Sequence, residues 1–362
     1  MIDFIPLQYY SLFYFYFLLF ISFLVFLWSK SILITDSKNI TAIRFLGFLL
    51  LFFNLFYIGF RPISIAFGDM AIYDRDYQNY VLRDSFIPIQ DVGFDFFMYS
   101  CSRIMNASMF FFLCSFLYVL PLWYACKKWF KSYFFYGFFI LITSFSFWAY
   151  AVNGIRNGIA TSIFLYALSR DKMITKFFLI IIAISFHKSV IIPTVALVLT
   201  LFYANPKKFF YGWLACIPLS LLAGGFWESL FAGFMDDDRS RYLTTFKEQF
   251  KDSFSSSGFR WDFLLYSASA VFAAYYFIFK KKYEDPIYNR LVCVYLAANA
   301  FWILVIRASF SNRFAYLSWF MMGIIIVYPF LTKIQIKNQH RVLGTVLLAY
   351  FGFTFLMNVI LA

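Results

Sequence analysis

Twelve apolar runs divide this chain, and their lengths decide what it can fold into. Nine of them lie close to the roughly twenty residues a helix needs to cross the hydrocarbon of a bilayer. They are 7–28, 42–60, 107–126, 133–151, 209–225, 263–279, 287–306, 314–331 and 342–361. Three more, 155–169, 174–186 and 189–203, are shorter. In lipid the backbone must satisfy its own N–H and C=O groups, so such runs are helical. The expectation is an all-α polytopic membrane protein of about twelve transmembrane helices, one integral membrane domain over residues 1–362. Residues of the hydrophobic class make up 63% of the chain, against about 45–50% in a soluble domain, and the surplus must face lipid or other membrane helices. Asp3 precedes the first run, with no Lys or Arg before it. A cleaved signal wants a basic leader there, so the first run is expected to be a permanent span.

A net charge of +13 invites a nucleic-acid partner, but no basic stretch lies away from the ends of the apolar runs, so nucleic acid is excluded. Membrane orientation accounts for the charge instead. With the N-terminus outside and the spans alternating, eighteen of the 31 basic residues share the cytoplasmic side with only four acids, and both termini lie outside. The two sides also differ in kind. Fourteen of the eighteen inside cations are Lys, whereas ten of the thirteen outside are Arg. Guanidinium grips a phosphate through a planar fork, while an ammonium acts as a point charge. An Arg-rich outer face therefore suits a diphosphate; the other reading is structural pairing with the fourteen outer acids. Cys101, Cys114, Cys126, Cys216 and Cys293 are odd in number and match no disulfide or zinc spacing. With two His in the whole chain, no metal site and no cofactor are expected.

Two long outer loops follow from this topology. Residues 61–106 carry Asp69, Tyr73, Tyr77 and Asp91, and residues 226–262 carry Arg239 and Tyr242. Each ends in, or contains, an amphipathic piece, 94–106 and 238–254, suited to lie at the membrane interface. Such helices either plug the surface or act as a lid over a lipid substrate.

The short runs place polar residues at depth. Thirteen residues rise about 20 Å at 1.5 Å each, against about 30 Å of hydrocarbon. With Lys172 and Lys176 at the cytoplasmic surface, the far end of 174–186 stops inside the membrane, and it carries His187 and Lys188. Arg156, opening the neighbouring run, lies at similar depth, on one helical face with Asn153, Asn157 and Ala160. Ionisable residues at depth are functional candidates, so an outward recess lined by Asn153, Arg156, Asn157, His187 and Lys188 is expected. Arg156 could instead snorkel, and His187 could close a helix end. Arg239 and Tyr242 share a helical face, as ligand contacts or lid anchors. Arg307 and Arg313 bracket a tight turn beside Asn312.

With these residues in place the chain resembles the EpsG/Wzy family of bacterial polysaccharide polymerases, which includes O-antigen polymerases. The resemblance rests on Asp69 with Tyr73 and Tyr77, on Asp91-Val92-Gly93-Phe94, on the stretch from Asn153 to Ala160, and on Phe186-His187-Lys188-Ser189 about thirty residues later. Arg239 to Tyr242 and Asn312-Arg313-Phe314 also fit. Asn157 and Asp91 stand where many members have Gln and Glu. The resemblance covers most of the chain and implies a GT-C-like fold. It implies transfer of a glycan from undecaprenyl diphosphate to a new lipid-linked repeat unit, on the periplasmic face of the inner membrane. The partners would be undecaprenyl-diphosphate-linked oligosaccharide, membrane lipids and a chain-length regulator. In this reading Arg156 and other arginines, Arg307 and Arg313 among them, stabilise the departing diphosphate without a metal, and His187 is the base, with Asp69 and Asp91 in reserve. Tyr73, Tyr77 and Tyr242 would stack on sugars, and Asn153, Asn157, Lys188 and Arg239 would contact substrate. The alternatives are an O-antigen ligase or other envelope transferase, or a flippase of lipid-linked oligosaccharide.

Overall fold

The computed structural model describes residues 2–232 and 258–361. Among them every regular element is a helix. Eight helices are long and apolar enough to cross a membrane: Leu7–Ser31, Ser37–Gly59, Ala107–Ile142, Pro206–Ala232, Trp261–Lys280, Pro286–Leu304, Ser311–Thr332 and Gln339–Ile360. The chain is a multi-pass membrane protein by that measure. Eight of the twelve expected runs coincide with these stretches; Ala107–Ile142 is two helices joined by a turn at Lys131 and also takes in the first part of 133–151. The other four, 133–151, 155–169, 174–186 and 189–203, form helices of 8 to 14 residues. At 1.5 Å per residue none of these covers the about 30 Å of a bilayer core. Hydropathy does not separate them from spans, because a short helix covered by protein and one facing outward, such as Met173–Phe186 with only Ala183 buried, are equally apolar. Residues 134–142, for example, are buried without exception.

Two compact units make up the chain, Met1–Val190 with Phe330–Ala362, and Ile191–Pro329. The first opens with α1 (Leu7–Ser31) and α2 (Ser37–Gly59). The Asp36 carboxylate starts α2 by accepting the Lys38 N–H at 2.8 Å, one of the donors a helix start leaves open. Near the other end of α2 the hydroxyl of Tyr10 donates to the Tyr57 carbonyl and that of Tyr57 to the Tyr10 carbonyl, both at 2.7 Å. This reciprocal pair fixes the point where the chain leaves for the first long loop.

That loop holds two helices, α3 (Met70–Leu82) and α4 (Val92–Ser102). The amphipathic piece expected at 94–106 is therefore α4, starting two residues earlier and ending four sooner. Helix α3, not foreseen, buries Tyr73, Tyr77 and Tyr80 on one stripe, the i, i+4, i+7 face of a helix lying on its neighbours. The piece expected at 238–254 lies outside the described residues.

The chain then runs through α5 (Ala107–Phe130) and turns back at Lys131, whose φ is 48°. Helix α6 (Phe134–Ile142) packs on α5, the ring of Trp123 lying edge-on to Phe134 and Phe138. The expected span 133–151 breaks at Thr143–Ser144. Ser144 takes an extended conformation, and the Thr143 hydroxyl donates back to the Phe139 carbonyl at 2.8 Å. Helices α7 (Phe145–Val152), α8 (Ile155–Leu168) and α9 (Met173–Phe186) complete the core of this unit, with α8 packed against both α5 and α9.

In the second unit, α10 (Ile191–Phe202) leads into α11 (Pro206–Ala232), which kinks at Ala223. Its core is tied by side-chain hydrogen bonds. Asn299 Oδ1 accepts from Trp213 Nε1 at 2.7 Å, and Asn299 Nδ2 donates to Ser267 at 3.2 Å and Ser318 at 2.9 Å. Buried and mutually satisfied groups of this kind fix one packing arrangement.

Candidate active site

The first turn of α8 gathers four segments that are far apart in sequence. Asn153 precedes the helix, and Arg156 and Asn157 lie three and four residues on, so the three side chains share a face. Each reaches a different stretch of chain. Asn153 Oδ1 accepts the backbone N–H of Asp69 at 2.8 Å. Gly68 makes this contact possible twice over: its φ is +65°, and a Cβ there would lie 2.5 Å from Asn153 Oδ1. Arg156 donates from Nη1 to Asp91 Oδ2 at 2.7 Å, and its Nε lies 3.4 Å from the Tyr73 hydroxyl. Asn157 Oδ1 accepts from the Ser189 hydroxyl at 2.8 Å.

Asp91 and the His187–Ser189 turn are drawn together by packing. His187 leaves α9 in an extended conformation. Gly93, at the start of α4, sits so close to the end of α9 that a Cβ would meet Ser185 Oγ at 2.2 Å. Asp91 thereby comes within reach of Lys188, whose backbone N–H lies 3.3 Å from Asp91 Oδ1. Both Asp91 oxygens are engaged. The Arg156–Asp91 pair is well shielded, with side chains 16% and 7% exposed.

The protonation chemistry follows from these contacts. His187 Nδ1 accepts the Ser189 backbone N–H at 3.1 Å. A neutral imidazole whose Nδ1 lone pair is used carries its proton on Nε2. In this arrangement His187 offers a donor, not the lone pair that the expected base role needs. Asp91, with both oxygens held, is a poor base as well. Burial pushes the Tyr73 hydroxyl above its usual pKa, opposed by the Arg156 guanidinium beside it, so it stays protonated at neutral pH. Its ring is buried under Arg156 and edge-on to Phe94, which makes it a support for the guanidinium rather than a sugar platform. Asp76, one turn beyond Tyr73, is a further carboxylate on α3, its side chain 19% exposed. Burial raises its pKa, Arg75 opposes that, and Asp95 adds to it.

The structure thus brings together Asp69, Tyr73, Asp91, Asn153, Arg156, Asn157, His187 and Lys188, with Ser189 as an added member. Tyr77 is apart from them. Its ring is buried against Phe110 and its hydroxyl donates to the Cys101 and Met105 carbonyls, so it ties α3 to the end of α4 and has no face left for a sugar. Arg307 and Arg313 belong to the second unit. Arg307 donates to the Leu221 carbonyl at 3.2 Å beside the α11 kink, and Arg313 lies over the Phe310 ring. Arg239 and Tyr242 lie outside the described residues. Among the described residues, no three His, Cys, Asp or Glu side chains form a group that could hold a metal ion.

Residues 44–362 match the model of the EpsG family. No curated protein and no solved structure matches the chain.

Proposed function

The chain belongs to the EpsG family, and from that premise we propose that it is a membrane glycosyltransferase of the polysaccharide-polymerase kind. It moves a growing glycan from undecaprenyl diphosphate onto the sugar end of a new lipid-linked repeat unit, as in O-antigen synthesis. It works at the periplasmic face of the bacterial inner membrane, on a GT-C-like architecture. The observation that carries this reading is the shielded Arg156 guanidinium at the first turn of α8, paired with Asp91, against which the backbone of the His187–Ser189 turn is also drawn.

In the reaction the bond between the anomeric carbon and the diphosphate breaks, and the acceptor oxygen bonds to that carbon and loses its proton. The leaving group departs as an anion, so it needs charge stabilisation more than protonation. Arg156 uses Nη1 and Nε within the protein and keeps Nη2 for a phosphate oxygen. Lys188 adds a mobile charge and His187 an Nε2–H donor. Fixed donors aimed at developing charge are the strongest single catalytic device an enzyme has. Asp91 holds the guanidinium in plane. Asp69 is the proton acceptor: its backbone is pinned by Asn153, and its carboxylate makes no hydrogen bond to a described residue.

Deleting the gene in its host and running the lipopolysaccharide on a gel tests this function. A polymerase leaves core plus a single repeat unit where a ladder stood. Loss of every repeat unit points to a ligase or flippase, and an unchanged ladder removes the lipopolysaccharide role.

A further inference from the structure

Arg61, just past the end of α2, is 2% exposed. Its Nη1 donates to the Ile58 carbonyl, so one corner of the guanidinium closes the helix. Its Nε and Nη2 are buried without a hydrogen-bond partner. Those two N–H groups form one edge of the guanidinium, the fork that meets two oxygens of a carboxylate or phosphate side by side. The Arg61 Cζ lies over the rings of Phe67 and Phe111, 5.9 and 5.6 Å from their centroids, and these supply no oxygen. The titratable groups whose fields it feels are the Cys114 thiol and the Tyr10 hydroxyl, both neutral at pH 7 by their ordinary values. No acid among the described residues pairs with it. Burial lowers its pKa to about 10, which still leaves it charged at neutral pH.

A buried cation with an empty fork is costly to keep, and a group left unsatisfied in this way calls for a partner. We propose that Arg61 is the seat of an oxyanion of the phosphate class, distinct from the Arg156 cluster. The fork fixes the chemistry: two oxygens on one centre, carrying negative charge. The cover is the single turn Ile65–Phe67, whose Ile65 is 82% exposed and whose Phe67 lies over the guanidinium. A ligand enters by lifting that turn. The same stretch continues into Gly68–Asp69, so filling the seat also sets the position of the turn that Asn153 holds. Two sources carry this chemistry, the headgroup of a phospholipid and the diphosphate of a second lipid-linked substrate. The seat does not depend on the transferase reading; the diphosphate source does.

Native mass spectrometry of the full chain tests it, with phosphatidylglycerol and undecaprenyl diphosphate as separate probes. Three variants are compared with wild type: Arg61→Gln, which keeps a donor for Ile58; Arg61→Lys, which keeps the charge but loses the fork; and Arg156→Ala. Retained phosphatidylglycerol that falls about tenfold or more in both Arg61 variants, and survives in Arg156→Ala, identifies a headgroup seat. Two equivalents of undecaprenyl diphosphate, one lost with Arg61 and the other with Arg156, identify a second substrate seat. Equal binding of both probes to Arg61→Lys and wild type overturns the proposal. So does an Asp3→Asn variant that destabilises the fold as much as Arg61→Gln does, because Asp3 on the adjoining N-terminal segment is then the partner. A wild-type protein that polymerises nothing yet shows the Arg61-dependent binding would remove the transferase reading alone.

Discussion

Removing both partners of the Arg156–Asp91 pair should cost clearly less than the sum of removing each alone. The two side chains are mostly shielded, and the hydrogen bond between them is 2.7 Å long. Truncating one partner of a buried pair strands the other charge, at about 3–5 kcal/mol. The Arg156 side chain keeps 16% of its exposure, so the lower end, about 3 kcal/mol, applies to Asp91→Ala. Arg156→Ala removes this ion pair from Asp91 and should cost a similar amount. The double variant strands nothing, so its loss should fall short of the sum by about 2 kcal/mol or more, within the range of coupling energies for contacting residues. Reversible denaturation in mixed micelles measures the cycle. Two losses that add to within about 0.5 kcal/mol would refute the claim that this pair organises the site.

Gly68→Ala places a Cβ where φ is +65° and where Asn153 Oδ1 lies 2.5 Å away; a loss of about 1–2 kcal/mol in stability and a fall in activity are expected, by melting and turnover. If His187 acts through Nε2–H, His187→Gln, whose amide N–H can stand near that position, should keep more turnover than His187→Asn, and equal losses would return His187 to the role of base. Asp76→Asn should stabilise the protein at pH 7. An acid whose folded pKa is raised binds more protons folded than unfolded, so stability falls as pH rises from the unfolded pKa through the folded one. Below that window both forms are neutral, so the gain should vanish there, and a gain that persists in acid would assign it to something other than charge burial.

The long helices were legible because a bilayer sets one length scale and eight runs meet it. The block from 133 to 203 was harder to read because its helices are short, α6 covered by protein throughout and α9 burying only Ala183, and apolar residues do not tell lipid from neighbouring helices. Within the site, Asn153, Arg156 and Asn157 could be read as one face from spacing alone. The partners could not. Asp91 is 65 residues from Arg156 and Asp69 is 84 from Asn153, and nothing local records such pairings. The Nδ1 contact that turns His187 into a donor depends on a backbone N–H, which every residue but proline possesses. Tyr73 and Tyr77 look alike in sequence, four residues apart on one helix, yet one supports Arg156 and the other closes α4. Arg61 was visible only as one more outer arginine, since its empty fork is a property of the packing around it.

The most direct measurement is polymerisation by the purified chain in proteoliposomes supplied with undecaprenyl-diphosphate-linked repeat units, comparing wild type with Arg156→Lys. The substitution keeps the positive charge and loses the planar fork. The account expects a ladder from wild type and a fall in turnover of about a hundredfold or more in the variant. A ladder of equal rate and length from Arg156→Lys would contradict the role given to the α8 cluster.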